Sequence, residues 1–160
     1  MKDVKRSVLR GIWISRTART PLVSVADVHA VPGRGPEGDR YFLGQGSFSR
    51  WPGTGRAVSL IAEETLVAVS AECGIDLRGG RSLRNLVTSG IVLTELQERT
   101  FRIGTAILRG VRPCAPCQYL ERITESGVFD ALKGRGGLRA EVIEEGILHI
   151  GDAIALLAGS

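Results

Sequence analysis

Glycine is the feature that most restricts how this chain can fold. The sequence has 21 glycines in 160 residues, roughly twice the 7% typical of proteins. Because glycine suits tight turns and weakens helix interiors, we expect many sharp turns between short elements. Between the glycines lie segments rich in β-branched residues: SVLRGIWI (7–14), VSVADVHAV (23–31), RAVSLI (56–61), RNLVTS (84–89), FRIGTAILRGV (101–111) and LRAEVIEEGILHIGDAIALL (138–157). This pattern predicts a mainly β fold, either a barrel or a sandwich.

Helices are expected to be few and short. The clearest candidate is AEETLVAVSAECG (62–74), which ends at a glycine that can cap the helix. One face of this helix carries Ala62, Leu66, Val69 and Cys73. We therefore interpret Cys73 as a core residue, because free cysteine is often buried. Two shorter helices are predicted after Pro116 and Gly127.

Composition limits the class of protein. The chain is 43% hydrophobic and 24% charged, which suits one globular domain over residues 1–160 with a core of about 11–157. Its apolar runs are too short to cross a bilayer, and no export signal follows the basic N-terminus. A cytoplasmic protein without a membrane partner is therefore expected. The net charge of +4 is scattered along the chain, so nucleic-acid binding is not predicted.

The segment RPCAPCQYLE (112–121) is the strongest candidate for chemistry. The chain has three cysteines, an odd and small number that does not form a disulfide framework, so a reactive or metal-binding thiol is admissible. A strand is expected to end near Val111 and a helix to begin at Cys117. The unpaired N–H groups of that first turn favour a thiolate, which is a nucleophile and a ligand for soft metals.

Two other interpretations of the cysteine pair are weaker. A thioredoxin-like dithiol would need parallel strands joined by helices, whereas the neighbouring strands here are joined by tight glycine turns. A zinc site would need two further ligands, and besides Cys73 only His29 and His149 are available, without a paired motif. Each histidine is more simply a partly exposed or hydrogen-bonded strand residue.

The order of several motifs along the chain carries more information than any one of them. They are GPEGDRYF (35–42), VSLIAEE (58–64), RNLVTSGIVLTEL (84–96), FRIGTAILRG (101–110), RPCAPCQYLE (112–121), GGLRAEV (136–142) and GDAI (151–154). The series resembles the MOSC family, named after the C-terminal domain of the molybdenum cofactor sulfurase, in its stand-alone bacterial form. The resemblance implies a MOSC-type β-barrel with a few peripheral short helices.

The resemblance also implies a set of site residues. Cys117 would ligate molybdenum or carry sulfur as the catalytic cysteine, and Cys114 would be a bystander. The pterin-bound molybdenum cofactor would be held by Arg40, Arg84, Asn85, Arg112 and Arg139. Guanidinium groups suit phosphate, and an asparagine amide suits the donor and acceptor edge of a pterin. Leu83 stands where many family members have arginine, so one expected contact to the anionic part of the cofactor is missing.

Three functions follow from the resemblance. The first is the molybdenum-binding component of an oxidoreductase for N-hydroxylated compounds, supplied with electrons by a partner protein. The second is a sulfur carrier that receives a persulfide from a desulfurase, and the third is a cofactor storage or delivery protein. No pyridoxal phosphate chemistry is predicted, because two of the three lysines lie in the N-terminal tail and Lys133 lies beside a glycine loop.

Overall fold

Short strands dominate the fold, as the glycine content predicts. The structure is a computed structural model that describes residues 6–15, 17, 21–39 and 57–158. Its strands are β1 (Val8–Ile14), β2 (Val23–Ser24), β3 (Asp27–Val31), β4 (Gly35–Pro36), β5 (Val58–Ala62), β6 (Leu86–Ser89), β7 (Thr100–Ile103), β8 (Ala106–Pro113), β9 (Leu138–Glu144), β10 (Gly146–His149) and β11 (Ile154–Leu156). Its helices are α1 (Glu63–Cys73), α2 (Gln118–Ile123) and α3 (Val128–Ala131), with a 3₁₀ helix at Leu93–Leu96. The mainly β class is confirmed.

The main sheet curls until its two ends meet. Its strand order is β11-β7-β8-β9-β5-β6-β1-β2. Val8 in β1 forms a bridge with Ala153, the residue before β11. On either side of this bridge, Leu9 donates its N–H to the Asp152 carbonyl at 2.9 Å, and Ile154 donates to the Ser7 carbonyl at 2.9 Å. The predicted β-barrel with peripheral short helices is confirmed, and β3, β4 and β10 form a smaller sheet beside it.

A helical crossover gives the barrel a second core. Strands β5 and β6 are parallel, and α1 connects them over the outer face of the sheet. Strand β5 is therefore covered on both sides, so Leu60 packs inside the barrel and the adjacent Ile61 packs against the helices. The inner core includes Leu9, Ile12, Phe101, Leu108 and Leu138. The outer core includes Leu66, Val69, Leu77, Leu120 and Leu132.

Two details differ from the sequence predictions. The segment 23–31 forms two strands rather than one, and β3 belongs to the smaller sheet. Cys73 is exposed, so its assignment to the core was wrong. The buried face of α1 ends at Val69, and the last turn extends past the core to Gly74, which caps the helix at a φ of 69°. Within the described residues, no helix has both the length and the apolarity needed to cross a membrane.

Candidate functional site

Cys117 lies at the start of α2, at the end of a connection that we call the cysteine loop (residues 114–117). Strand β8 ends at Pro113, and α2 begins one residue later than predicted, with Cys117 as its N-cap. The Cys117 sulfur accepts a hydrogen bond from the N–H of Leu120 at 3.4 Å, and the residue is exposed. The thiol therefore faces solvent while its sulfur satisfies one unpaired N–H group of the helix.

Cys114 has a different environment from Cys117. It is only 1% exposed, and its N–H donates to the Gly137 carbonyl at 2.8 Å. The chain forms no turn or bend from Cys114 to Cys117. Both cysteines are free, so the structure contains no Cys114–Cys117 disulfide.

A second connection, the glycine loop (residues 134–137), holds the cysteine loop in place. A Cβ atom on Gly136 would lie 2.3 Å from the Cys114 carbonyl oxygen, so only glycine permits this approach. Gly137 has a φ of +112°, and a Cβ atom there would lie 2.0 Å from the Leu60 carbonyl oxygen. The two glycines let the cysteine loop, the glycine loop and β5 pack backbone to backbone.

Arg84 joins the two loops. Its side chain is buried, its Nε donates to the Gly136 carbonyl at 2.9 Å, and its Nη2 donates to the Ala115 carbonyl at 3.4 Å. The preceding residue, Leu83, packs against the outer core and has a φ of 60°, a left-handed conformation that is costly for a leucine. The structure thus gives Arg84 a role in holding the cysteine loop, while its predicted contact with a cofactor stays a prediction.

Asn85, the residue before β6, is hydrogen-bonded to strands β5 and β1. Its Oδ1 accepts hydrogen bonds from the N–H and hydroxyl of Ser59 in β5, at 3.2 and 3.3 Å. Its Nδ2 donates to the Trp13 carbonyl in β1 at 3.1 Å. Both ends of the amide are therefore engaged within the protein. Ser59 is a member of this network that the sequence prediction missed, although it is the one polar residue in the buried run VSLIA.

Arg112 and Arg139 are brought together by strand register. They are directly opposite each other across β8 and β9, and Arg139 is also opposite Ser59 across β5. The flanking Leu138 and Ala140 pack inside the barrel, so Arg139 lies on the outer face. Two like charges in opposite positions are unfavourable unless an acidic or anionic group compensates them. The pair lies where β8 leads into the cysteine loop.

The remaining predicted site residue, Arg40, lies outside the described residues. Its neighbour Asp39 is 3% exposed and accepts a hydrogen bond from the Ser15 N–H at 2.9 Å. Among the predicted site residues that the structure describes, Arg84 contacts the cysteine loop. Arg112 and Arg139 lie in neighbouring strands, and Asn85 is bonded to the strand next to them.

The histidines lie apart from this region. His29 is bonded between two carboxylates, with Nδ1 at 3.1 Å from Glu37 and Nε2 at 3.2 Å from Glu145, which confirms its interpretation as a hydrogen-bonded residue. Among the described residues, no three His, Cys, Asp or Glu side chains are grouped so that they could hold a metal ion.

One carboxyl group is strongly perturbed. The Arg78 side chain donates to Asp76 at 2.9 Å, and this hydrogen bond, with a second from the Arg78 backbone, lowers the pKa of Asp76 to about 2. In return, the hydrogen bond to Asp76 raises the pKa of Arg78. Both groups are exposed and lie in the connection between α1 and β6, so they stabilise that turn locally.

Comparisons with known proteins agree with this architecture. The family model of the MOSC domain matches residues 36–155. No curated protein sequence matches the chain. The structure is similar to that of the YuaD protein from Bacillus subtilis, with a TM-score of 0.74, 20% identity, and coverage of 95% of this chain and 97% of the other. It is also similar to YiiM from Escherichia coli, with a TM-score of 0.69, 17% identity, and coverage of 98% and 71%. At these identities the likeness shows a shared fold alone.

Proposed function

Because the chain belongs to the MOSC domain family, we propose that it binds a molybdenum cofactor through Cys117 and serves as the molybdenum-binding component of a reductase for N-hydroxylated compounds. The observation that carries this proposal is an exposed thiol on a fixed loop. Cys117 faces solvent, while Arg84 and the glycine loop hold the segment immediately before it. A ligand for a soft metal needs this combination of access and rigidity.

The residues near Cys117 fit such a cofactor in part. Thiolate is a suitable molybdenum ligand, and Arg112 and Arg139, at opposite positions of β8 and β9, carry the type of side chain that suits an anionic group. Arg84 and Asn85 already make hydrogen bonds within the protein, so their role would be mainly to hold the site in place. Arg40, which is not among the described residues, would be a further contact to the anionic group. When bound, molybdenum would supply the redox chemistry, with electrons from a partner protein.

The chain's own residues would prepare the thiol for this role. The N–H of Leu120 donates a hydrogen bond to the Cys117 sulfur at 3.4 Å, which orients the side chain at the start of α2. The hydrogen bonds from Arg84 keep the cysteine loop against the glycine loop, so that the sulfur position depends little on loop motion. Cys114, buried at the start of the cysteine loop, would take no part in the chemistry.

A sulfur carrier is the second candidate, favoured by the exposure of Cys117 and by the engagement of Arg84 and Asn85 within the protein. In this function the Cys117 thiolate attacks the outer sulfur of a persulfide on a desulfurase. A new sulfur–sulfur bond forms on Cys117, and the donor cysteine leaves as a thiolate. An exposed sulfur suits this transfer, because a partner protein must reach it.

Metal analysis separates the two functions. The protein is expressed in a host that makes molybdenum cofactor, and molybdenum and oxidised pterin are measured in wild type, Cys117→Ala and the matched control Cys114→Ala. We expect near-stoichiometric molybdenum in wild type, loss in Cys117→Ala and retention in Cys114→Ala. Absence of molybdenum and pterin from the wild type, with an added sulfur atom on Cys117 in the mass spectrum, would instead establish the carrier. Equal loss in both variants would restore the dithiol interpretation.

A further inference from the structure

A cavity of about 900 Å³ opens beside the cysteine loop. One of its walls is the segment 113–116, and the others come from the start of α1, the segment 90–94 and the segment 133–137. Cys117 does not line it, but the cavity wall runs directly into this residue. The volume lies within the range of about 300–1,000 Å³ that is usual for small-molecule sites.

The walls of the cavity are mainly apolar. They include Ile91, Val92, Leu93, Pro113 and Phe129. Val92 is 58% exposed, so its apolar surface is available for a ligand to cover. An apolar lining with few polar groups is the usual composition of a site that binds a small organic molecule.

The charged residues of the cavity are already paired within the protein. Glu64 accepts a hydrogen bond from the Gly90 N–H at 2.8 Å. Lys133 lies 2.9 Å from Asp130 and Arg135 lies 2.7 Å from Glu72. A charged ligand would have to compete with these partners, whereas a neutral ligand would leave them in place. The electrostatics therefore favour a neutral molecule.

Two hydroxyl groups give the cavity some polarity. Thr65 and Thr94 both line it, and their side chains make no hydrogen bond with another residue in the part of the chain that the structure describes. Each hydroxyl can donate one hydrogen bond and accept others. A ligand with one or two polar groups on an apolar body would match them.

We infer that this cavity binds a neutral, predominantly apolar small molecule that carries one or two hydrogen-bonding groups. Because Cys117 does not line the cavity, this binding is independent of the chemistry proposed for that residue.

A neutral fluorescent probe, N-phenyl-naphthylamine, tests the binding directly. We expect a saturable rise in its emission with wild-type protein. Val92→Glu should weaken binding by at least about tenfold, because it places a charge against an apolar ligand. Val67→Glu is the matched control: Val67 is 57% exposed on α1 and does not line the cavity, so binding should not change. Circular dichroism shows whether each variant is folded.

A second variant tests whether Val92→Glu weakens binding only because it disturbs the local structure. Thr94→Trp fills the cavity without adding charge, and it should weaken the probe to a similar degree. No saturable binding to wild type, or equal weakening by Val92→Glu and Val67→Glu, would overturn the inference.

The inference and the proposed function can fail separately. Probe binding is measured on molybdenum-free protein, so its absence removes the cavity site whatever the metal content. Bound probe in a protein that never loads molybdenum removes the proposed reductase and leaves the cavity site intact.

Discussion

The hydrogen bonds that Arg84 donates to the glycine loop and the cysteine loop can be tested by removing the guanidinium group. In Arg84→Ala, the buried carbonyl of Gly136 loses a charged donor at 2.9 Å. A hydrogen bond from a charged group contributes about 1.5–3 kcal/mol, and the longer contact to Ala115 at 3.4 Å adds little. We expect the free energy of unfolding to fall by about 2 kcal/mol. For a chain of this size, the melting temperature should then drop by about 4–8 °C.

Arg109→Ala is the matched control for this prediction. Arg109 lies on β8 and is partly exposed, and its side chain makes no hydrogen bond or ion pair with another residue of the described ranges. Its substitution should change the free energy of unfolding by no more than about 0.5 kcal/mol. Arg84→Lys should fall between the two, because one ammonium group cannot reproduce the fork that spans both carbonyls.

Labelling of Cys114 gives a local readout of the same contact. Cys114 is buried at the start of the cysteine loop and should react with iodoacetamide only when that loop opens. A loss of 2 kcal/mol in the loop would raise the labelling rate by about thirtyfold. The reasoning would be refuted if Arg84→Ala matched Arg109→Ala in both stability and Cys114 labelling. In molybdenum-loaded protein, we also expect Arg84→Ala to retain less cofactor than Arg109→Ala.

Three further perturbations test other parts of the structure. Gly137→Ala should lower the free energy of unfolding, measured by urea denaturation, by more than about 3 kcal/mol, because its Cβ would lie 2.0 Å from a carbonyl oxygen. Gly134→Ala, with open space around the glycine, should lower it by about 1 kcal/mol, and similar losses in the two variants would contradict this reasoning. Cys117→Ser should keep the N-cap of α2 and match wild-type stability within about 0.5 kcal/mol while losing thiol chemistry, and a large loss would show that the sulfur also packs. By NMR titration, Asp76 should show a pKa of about 2 that returns towards 3.8 in Arg78→Ala. Because the folded pKa is the lower one, the turn's stabilisation is present above pH 3.8 and is lost as the pH falls through about 2; an unchanged Asp76 titration in the variant would contradict the pairing.

The sequence predicted the elements of the fold well because their signals are local. Alternating and β-branched segments between glycines matched most of the strands, and the glycine at position 74 marked the end of α1. It also placed Cys117 at the start of a helix, since prolines and helix-forming residues meet there. Cys73 was misjudged because helical periodicity identifies a face but not how far along the helix the core extends.

The site was predicted less completely because its contacts are long-range. Asn85 was singled out as a cofactor contact, but its partners Trp13 and Ser59 lie 72 and 26 residues away, and no local pattern joins them. The clamp between Arg84 and Gly136 spans 52 residues. Nor could periodicity show the bulge in β8 that sets Arg112 opposite Arg139.

The sequence by itself determined the class of fold, the family resemblance and the position of Cys117 at a helix start, because turn residues, strand periods and helix starts depend on neighbours along the chain. The tertiary structure alone decided which arginine holds the cysteine loop, why Gly136 and Gly137 must lack side chains, and that an apolar cavity lies beside the loop. These features arise where distant segments meet, and the close approach of backbone to backbone is fixed only when the barrel closes.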